Sequence, residues 1–294
     1  MTQKTVLITG TSSGIGAACV MRQARAGWRV YAGVRRPEDG ERLVSAAAGD
    51  VVPVIIDVTR RQDIDAVLGR IRAEVGRLDG LVNNAGIAVG GPIELLTDEE
   101  WRHQLEVNFF ALVTLTREAM PLVEKAAGRF VHIGSIAGRV ASGGLAPYAA
   151  SKHAIEAFNW SLRAELAPNT GMTSSVIEPG DVKTGIWDKA TGRIDAVEDR
   201  LRSRGLTGRY GFLVDELRAF VAEGDARGIE PDDVAGAVEH ALTARRPKAR
   251  YPVGRDAAVV GVITRCRDRM REALEKMNAR RLRRAGAGVR GRRT

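Results

Sequence analysis

"KTVLITGTSSGIGAACVMRQARA", Lys4 to Ala26, is the stretch that decides the fold. Its first six residues, "KTVLIT", read as a short buried strand, and the run from Ile15 to Ala26 reads as a helix. Between them lies a turn with glycines at positions 10, 14 and 16. A strand that passes through such a turn into a helix presents backbone N–H groups to an anion at the helix N-terminus, and the missing side chains allow close approach. The spacing is TGxxxGxG rather than the commoner GxGxxG. Three glycines alone also suit a plain tight turn; the strand-turn-helix setting points instead to the diphosphate of a dinucleotide. The candidate contacts are Gly10, Ser12, Ser13, Gly14, Ile15 and Gly16.

Outward from this unit the chain repeats the alternation. "WRVYAGV" and "VVPVIIDV" (Val51–Val58) read as strands, followed by a helical stretch near Arg61–Val75. Next come "LDGLVNNAG" (Leu78–Gly86), a long helix near Asp98–Val123, "GRFVHIGS" (Gly128–Ser135), a helix from about Pro147 to Leu166, and "GMTSSVIEPG" (Gly171–Gly180). "KARYPVG" (Lys248–Gly254) supplies a seventh strand. Apolar strands alternating with helices predict an α/β, Rossmann-type doubly wound parallel sheet with helices on both faces, in a single domain spanning 1–264. The stretch 185–228 fits the alternation least; it mixes glycines and charges and reads as an irregular insertion of the kind that forms a substrate lid.

With 294 residues the chain can bury a sizeable core. No apolar run reaches the roughly 18 residues of a membrane span, and "MTQKTVLITG" shows no signal-peptide pattern, so a cytoplasmic protein is expected. Cys19 and Cys266 lie far apart without CxxC or Cys/His spacing, which suggests neither a disulfide framework nor a metal site. The net charge of +9 is concentrated at one end: residues 265–294 hold 12 Arg/Lys and 3 Asp/Glu, leaving 33 of each sign in the body. Met270, Leu274 and Met277 keep helical spacing in this tail before "AGAGVRGRR" loses it. A solvated end is the simplest reading, and contact with anionic surfaces, nucleic acid or lipid, is the alternative.

A dinucleotide fold that selects NAD places a carboxylate at the end of its second strand, on the adenosine ribose. Here that strand end reads "AGVRRPED", with Val34 in place of the carboxylate and Arg35 and Arg36 behind it. Guanidinium groups pair with a 2′-phosphate, so the expected cofactor is NADP(H).

"YAASK" puts Tyr148 four positions before Lys152, on one face of the expected helix. With the Gly turn, "NNAG" and "YAASK" in this order, the sequence resembles the short-chain dehydrogenase/reductase family over roughly residues 4–185. "VYAGVRRPEDGERL" and "ARYPVGRDA" resemble its steroid-, retinol- and prostaglandin-type branch. The resemblance implies that Tyr148 is the acid/base, Lys152 its partner, Ser135 the hydroxyl orienting a substrate carbonyl, and Asn108 a residue that disturbs its own helix and holds a water by its carbonyl. It further implies that Asp57 and Val58 lie beside the adenine, that Asn83, Ala85 and Gly86 border the cofactor cleft, and that Pro179, Gly180, Val182 and Thr184 line the nicotinamide. A homodimer or homotetramer is expected by the same analogy.

A free phenol titrates near pH 10. A cation about 4 Å away, at an effective dielectric near 20, favours the phenolate by about 4 kcal/mol, which would bring Tyr148 near 7 before desolvation opposes it. Hydride would pass between the nicotinamide and the carbonyl carbon while Tyr148 handles the proton and Ser135 stabilises the alkoxide, with no metal. An apolar steroid, retinoid or lipid-like carbonyl or alcohol is the expected substrate class. His132 lies three residues before Ser135 on a strand, so the two side chains point to opposite faces. Two other readings stand beside this one: a dinucleotide-binding regulatory protein with little catalysis, and an adaptor working through the tail.

Overall fold

The computed structural model describes residues 3–166, 170–183 and 186–261. Seven parallel strands form one sheet in the order β3-β2-β1-β4-β5-β6-β7. They are β1 (Thr5–Thr9), β2 (Arg29–Val34), β3 (Val51–Ile55), β4 (Gly80–Asn83), β5 (Arg129–Ile133), β6 (Thr173–Pro179) and β7 (Arg250–Val253). The strand order reverses between β1 and β4, and this switch opens a crevice beyond the strands' C-terminal ends.

Period-two alternation sorts the core onto the two faces of the sheet. Val6, Ile8, Val30, Ala32 and Val131 pack with Cys19, Val20 and Ala24 of α1 (Gly14–Arg25) and with Val234 and Val238 of α9 (Pro231–Thr243). Leu7, Tyr31 and Phe130 face the other way, onto α3 (Arg61–Glu74), α5 (Ala111–Glu124) and α6 (Ala146–Leu166). Pro53 sits within β3, an edge strand, where the missing N–H costs the sheet least.

The long helix expected over Asp98–Val123 is interrupted. α4 (Asp98–Leu105) starts at a Thr97/Glu100 capping box and passes through a π-helical turn, Glu106–Phe110, into α5. The wide turn is centred on Asn108.

The stretch expected to be irregular is helical. α7 (Ile186–Ser203) and α8 (Thr207–Arg227) form a hairpin turned at Gly205, whose φ is +67°. Ile194, Val197, Leu201, Val214 and Leu217 bury their side chains in a small core shared with Leu95. Composition concealed this because glycines and charges occupy the outer face, while the apolar positions find partners only once the two helices pack. α2 (Pro37–Ala46) connects β2 to β3. Thr184 and the tail 265–294 lie outside the described residues.

Candidate active site

The Gly turn fits its sequence reading in detail. Gly10 has φ +67° and Gly14 φ +56°, the left-handed region. A Cβ on Gly10 would stand 2.7 Å from Ala85 Cα, and one on Gly16 only 2.3 Å from Gly10 O. Thr11 ties the turn to β2, its N–H and hydroxyl both donating to Gly33 O at 3.0 Å. Ser13 caps α1 by position, yet its side chain bonds none of the first-turn N–H groups, and Ser12 and Ser13 are exposed. The turn therefore keeps helix N–H groups directed at the crevice, a cradle that suits a diphosphate. Ile15 is half-buried against the core.

"NNAG" divides differently from expectation. Asn84, which the sequence reading passed over, fastens the turn: its Nδ2 donates to Thr9 O at 2.8 Å and to Gly10 O at 2.9 Å. Thr9 Oγ1 accepts from the N–H groups of Asn84 and Ala85, both at 3.1 Å. The Asn83 side chain turns inward instead, donating to Thr116 Oγ1 at 3.0 Å and lying 3.1 Å from His132 Nδ1. Strand alternation sends adjacent asparagines to opposite faces, but which one meets the turn depends on register with β1. Gly86 borders Asn108, whose Oδ1 would lie 3.4 Å from a Cβ there.

At the end of β2, Arg36 is held by Asp39 through Nε (3.1 Å) and Nη2 (3.2 Å), and Arg42 pairs with the same carboxylate. Arg35 is exposed and has no hydrogen bond or ion pair among the described residues. Asp57 accepts from Thr59 N (3.0 Å) and Thr59 Oγ1 (2.7 Å). Burial opposes its charge, but the Thr59 bonds, with Arg35 and Arg60 nearby, hold its carboxyl below the usual range. Val58 is buried beside it.

At the other side of the crevice Tyr148 lies in the first turn of α6 and Lys152 one turn later. Ser135 lies close enough to Tyr148 to influence its titration, and its hydroxyl accepts from Ala137 N at 3.1 Å. Lys152 is 7% exposed, its Nζ donating to Ile133 O at 2.8 Å and standing 5.6 Å from the Tyr148 ring centroid. Desolvation, the opposing effect, is the larger one for both groups. Burial raises the Tyr148 pKa above the ordinary phenol value; Ser135 opposes the rise and Asp181 adds to it. Burial also lowers Lys152 to about 8, so the ammonium that was to depress the phenol is itself costly to charge.

Asn108 is buried in the π-helical turn, its amide bonded to both backbone groups of Ile87 and to Ser151. Beyond β6, Pro179 and Val182 are buried. A Cβ on Gly180 would overlap the Asp256 carboxylate, which accepts from Asp181 N at 3.0 Å. His132 is fully buried against Phe158, away from Ser135, and burial lowers it to about 3.

Comparison with known proteins agrees with this geometry. The short chain dehydrogenase family pattern matches residues 4–194. An NADPH-dependent 3-dehydrocapnine reductase of Ornithobacterium rhinotracheale is 36% identical over 84% of this chain and 87% of its own length. Mouse retinol dehydrogenase 7 is 34% identical over 86% of this chain and 81% of its own. Among solved structures, a short-chain dehydrogenase from Streptomyces avermitilis is 27% identical and superposes with a TM-score of 0.76, covering 95% of this chain and 98% of that one. A switch-point crevice with a glycine cradle on one side and a half-buried Tyr148 beside a buried Lys152 on the other, and this breadth of likeness, make the chain a member of the short-chain dehydrogenase/reductase family of oxidoreductases, whose members bind a nicotinamide dinucleotide.

Proposed function

We propose that this oxidoreductase is NADP(H)-dependent and interconverts an apolar ketone or aldehyde with its alcohol. The observation that carries the cofactor preference is the unpaired guanidinium of Arg35 beside Val34, where a ribose-binding carboxylate would otherwise stand. A free, exposed cation suits a 2′-phosphate and gives NAD no compensating contact. The NADPH dependence named for the 36% identical reductase supports the same choice.

When bound, the nicotinamide supplies or accepts hydride at the carbonyl carbon. The chain's own residues manage the oxygen and its proton. Gly10, Ser12, Ser13, Gly14, Ile15 and Gly16 hold the diphosphate, Asp57 and Val58 the adenine end, and Ala85, Gly86, Pro179, Gly180 and Val182 the inner wall. Ser135 and Tyr148 direct their hydroxyls at one carbonyl oxygen. Because burial keeps Tyr148 protonated at neutral pH, it is set to give a proton to that oxygen; the reverse reaction requires its proton to leave first, so alkaline pH favours alcohol oxidation.

The α7–α8 hairpin is the proposed lid. Leu217 touches Gly144, while Val197 lies against Gly91, so the roof over the loops beside the site is apolar. Polar contacts fix its rim. Arg200 grips Glu100 with two 3.0 Å bonds, and Glu94 accepts from Tyr210 at 2.6 Å and Arg209 at 3.1 Å. Exposed Phe110 and Trp160 support self-association through the helices that carry them.

The test is paired titration with NADPH and NADH, followed at ~340 nm with retinal, a ketosteroid and simple aromatic carbonyls, alongside Tyr148→Phe. Tighter NADPH binding with turnover abolished in the variant is the expected result. NADPH binding without turnover on any of them favours the regulatory reading.

A further inference from the structure

Gln104 is wholly buried in α4, one turn before Asn108, and the mechanism above gives it no part. Its Oε1 accepts from Val89 N at 2.7 Å and its Nε2 donates to Ile87 O at 3.0 Å. Asn108 repeats the pattern on the same segment, accepting from Ile87 N at 2.8 Å and donating to Ile87 O at 3.0 Å. Residues 87–89 belong to no strand, so two side-chain amides spaced i, i+4 provide the backbone partners that a neighbouring strand would give.

Both amides also reach the helix of Tyr148. Asn108 Nδ2 donates to Ser151 Oγ at 3.1 Å, with Gln104 Nε2 at 3.5 Å from the same oxygen. Ser151, itself wholly buried, donates to the backbone carbonyl of Tyr148 at 2.7 Å. A second connection runs through the loop: Gly91 N donates to Gly144 O at 2.7 Å, and Ala149 N to Leu145 O at 2.9 Å. The first turn of α6 is therefore held from inside by Ser151 and from its leading end by the segment that Gln104 and Asn108 fix.

We infer that Gln104 is a positioning residue: with Asn108 and Ser151 it sets where Tyr148 stands in the site. The inference rests on the reading of Tyr148 as the acid/base. A glutamine is needed because the role requires an acceptor for Val89 N and a donor for Ile87 O on one side chain; Glu supplies only the first and Met neither.

The test compares Gln104→Met, Gln104→Glu, Ser151→Ala and the Gln104→Met/Ser151→Ala double variant, with Tyr148→Phe as control. Hydrogen exchange is read over residues 87–91 and 146–152, and kcat, KM and NADPH affinity on the carbonyl of the panel that turns over fastest. Expected are faster exchange in both segments, kcat lowered about tenfold or more with NADPH affinity unchanged, and a double variant no worse than its worse parent. Gln104→Glu should fall between wild type and Gln104→Met. Faster exchange at 87–91 alone with kcat unchanged would overturn the inference, as would additive losses. Should Gln104→Met not fold, Gln104→Glu and Ser151→Ala carry the same comparison. Turnover surviving in Tyr148→Phe would remove the acid/base reading itself, an outcome separate from a failure of the Gln104 variants.

Discussion

The fully buried His132 links folding stability to pH in a way that can be worked through. Its Nδ1 lies 3.1 Å from the Asn83 amide nitrogen and so accepts from it, while Nε2 has no partner among the described residues. Protonating Nδ1 would set two donors against each other in a region closed to bulk solvent. Burial accordingly lowers the imidazole from 6.5 to about 3. The folded-state pKa lies below the unfolded one, so the stability this histidine contributes is present above pH 6.5 and is lost as pH falls toward 3. The full loss is about 5 kcal/mol, of which about 2 kcal/mol has gone by pH 5. Urea unfolding at pH 7.5 and 5.0 of wild type and His132→Leu measures it, since leucine keeps nearly the volume and cannot titrate. Wild type should lose about 2 kcal/mol relative to the variant between the two pH values. Other titrating groups are common to both proteins and cancel. A wild-type-to-variant difference that stays the same at both pH values would refute the reasoning.

Glu156 acts with the opposite sign: burial first, and Glu178 second, push its carboxyl up to about 7, so its stabilisation is present below pH 4.5 and lost as pH rises through 7. Glu156→Gln should therefore flatten the decline in thermal midpoint between pH 5 and 8, and an unchanged decline would assign it to other groups. Gly16→Ala brings a methyl to 2.3 Å from Gly10 O, where only backbone can yield; about 1–3 kcal/mol of overpacking should weaken NADPH binding about tenfold or more by fluorescence titration. At the adenosine end, Arg35→Asp should reverse the NADPH/NADH preference in kcat/KM, while Arg36→Gln should change it little because Asp39 already holds that side chain. Asp39→Asn should release Arg36 and tighten NADPH binding without changing NADH; equal effects of the Arg35 and Arg36 variants would contradict this division.

The sequence alone determined whatever depends on neighbours along the chain. Short apolar runs alternating with helical stretches placed all seven strands, and a proline suited to a first turn placed the helix from about Pro147, because both follow from local backbone geometry. The strand-turn-helix at Lys4–Ala26 was legible for the same reason: left-handed φ and close approach demand glycine wherever the turn occurs. Tertiary structure decided what depends on distant partners. Which asparagine of "NNAG" fastens the turn follows from β1–β4 register; the helical hairpin at 186–227 exists because its apolar stripes meet each other and Leu95. The direction of the Tyr148 shift follows from burial, which outweighs the opposing effect of Ser135. Gln104 carried no signal at all in sequence, since a buried amide is identified only by the backbone it satisfies, and Ile87 and Val89 reach it by folding alone.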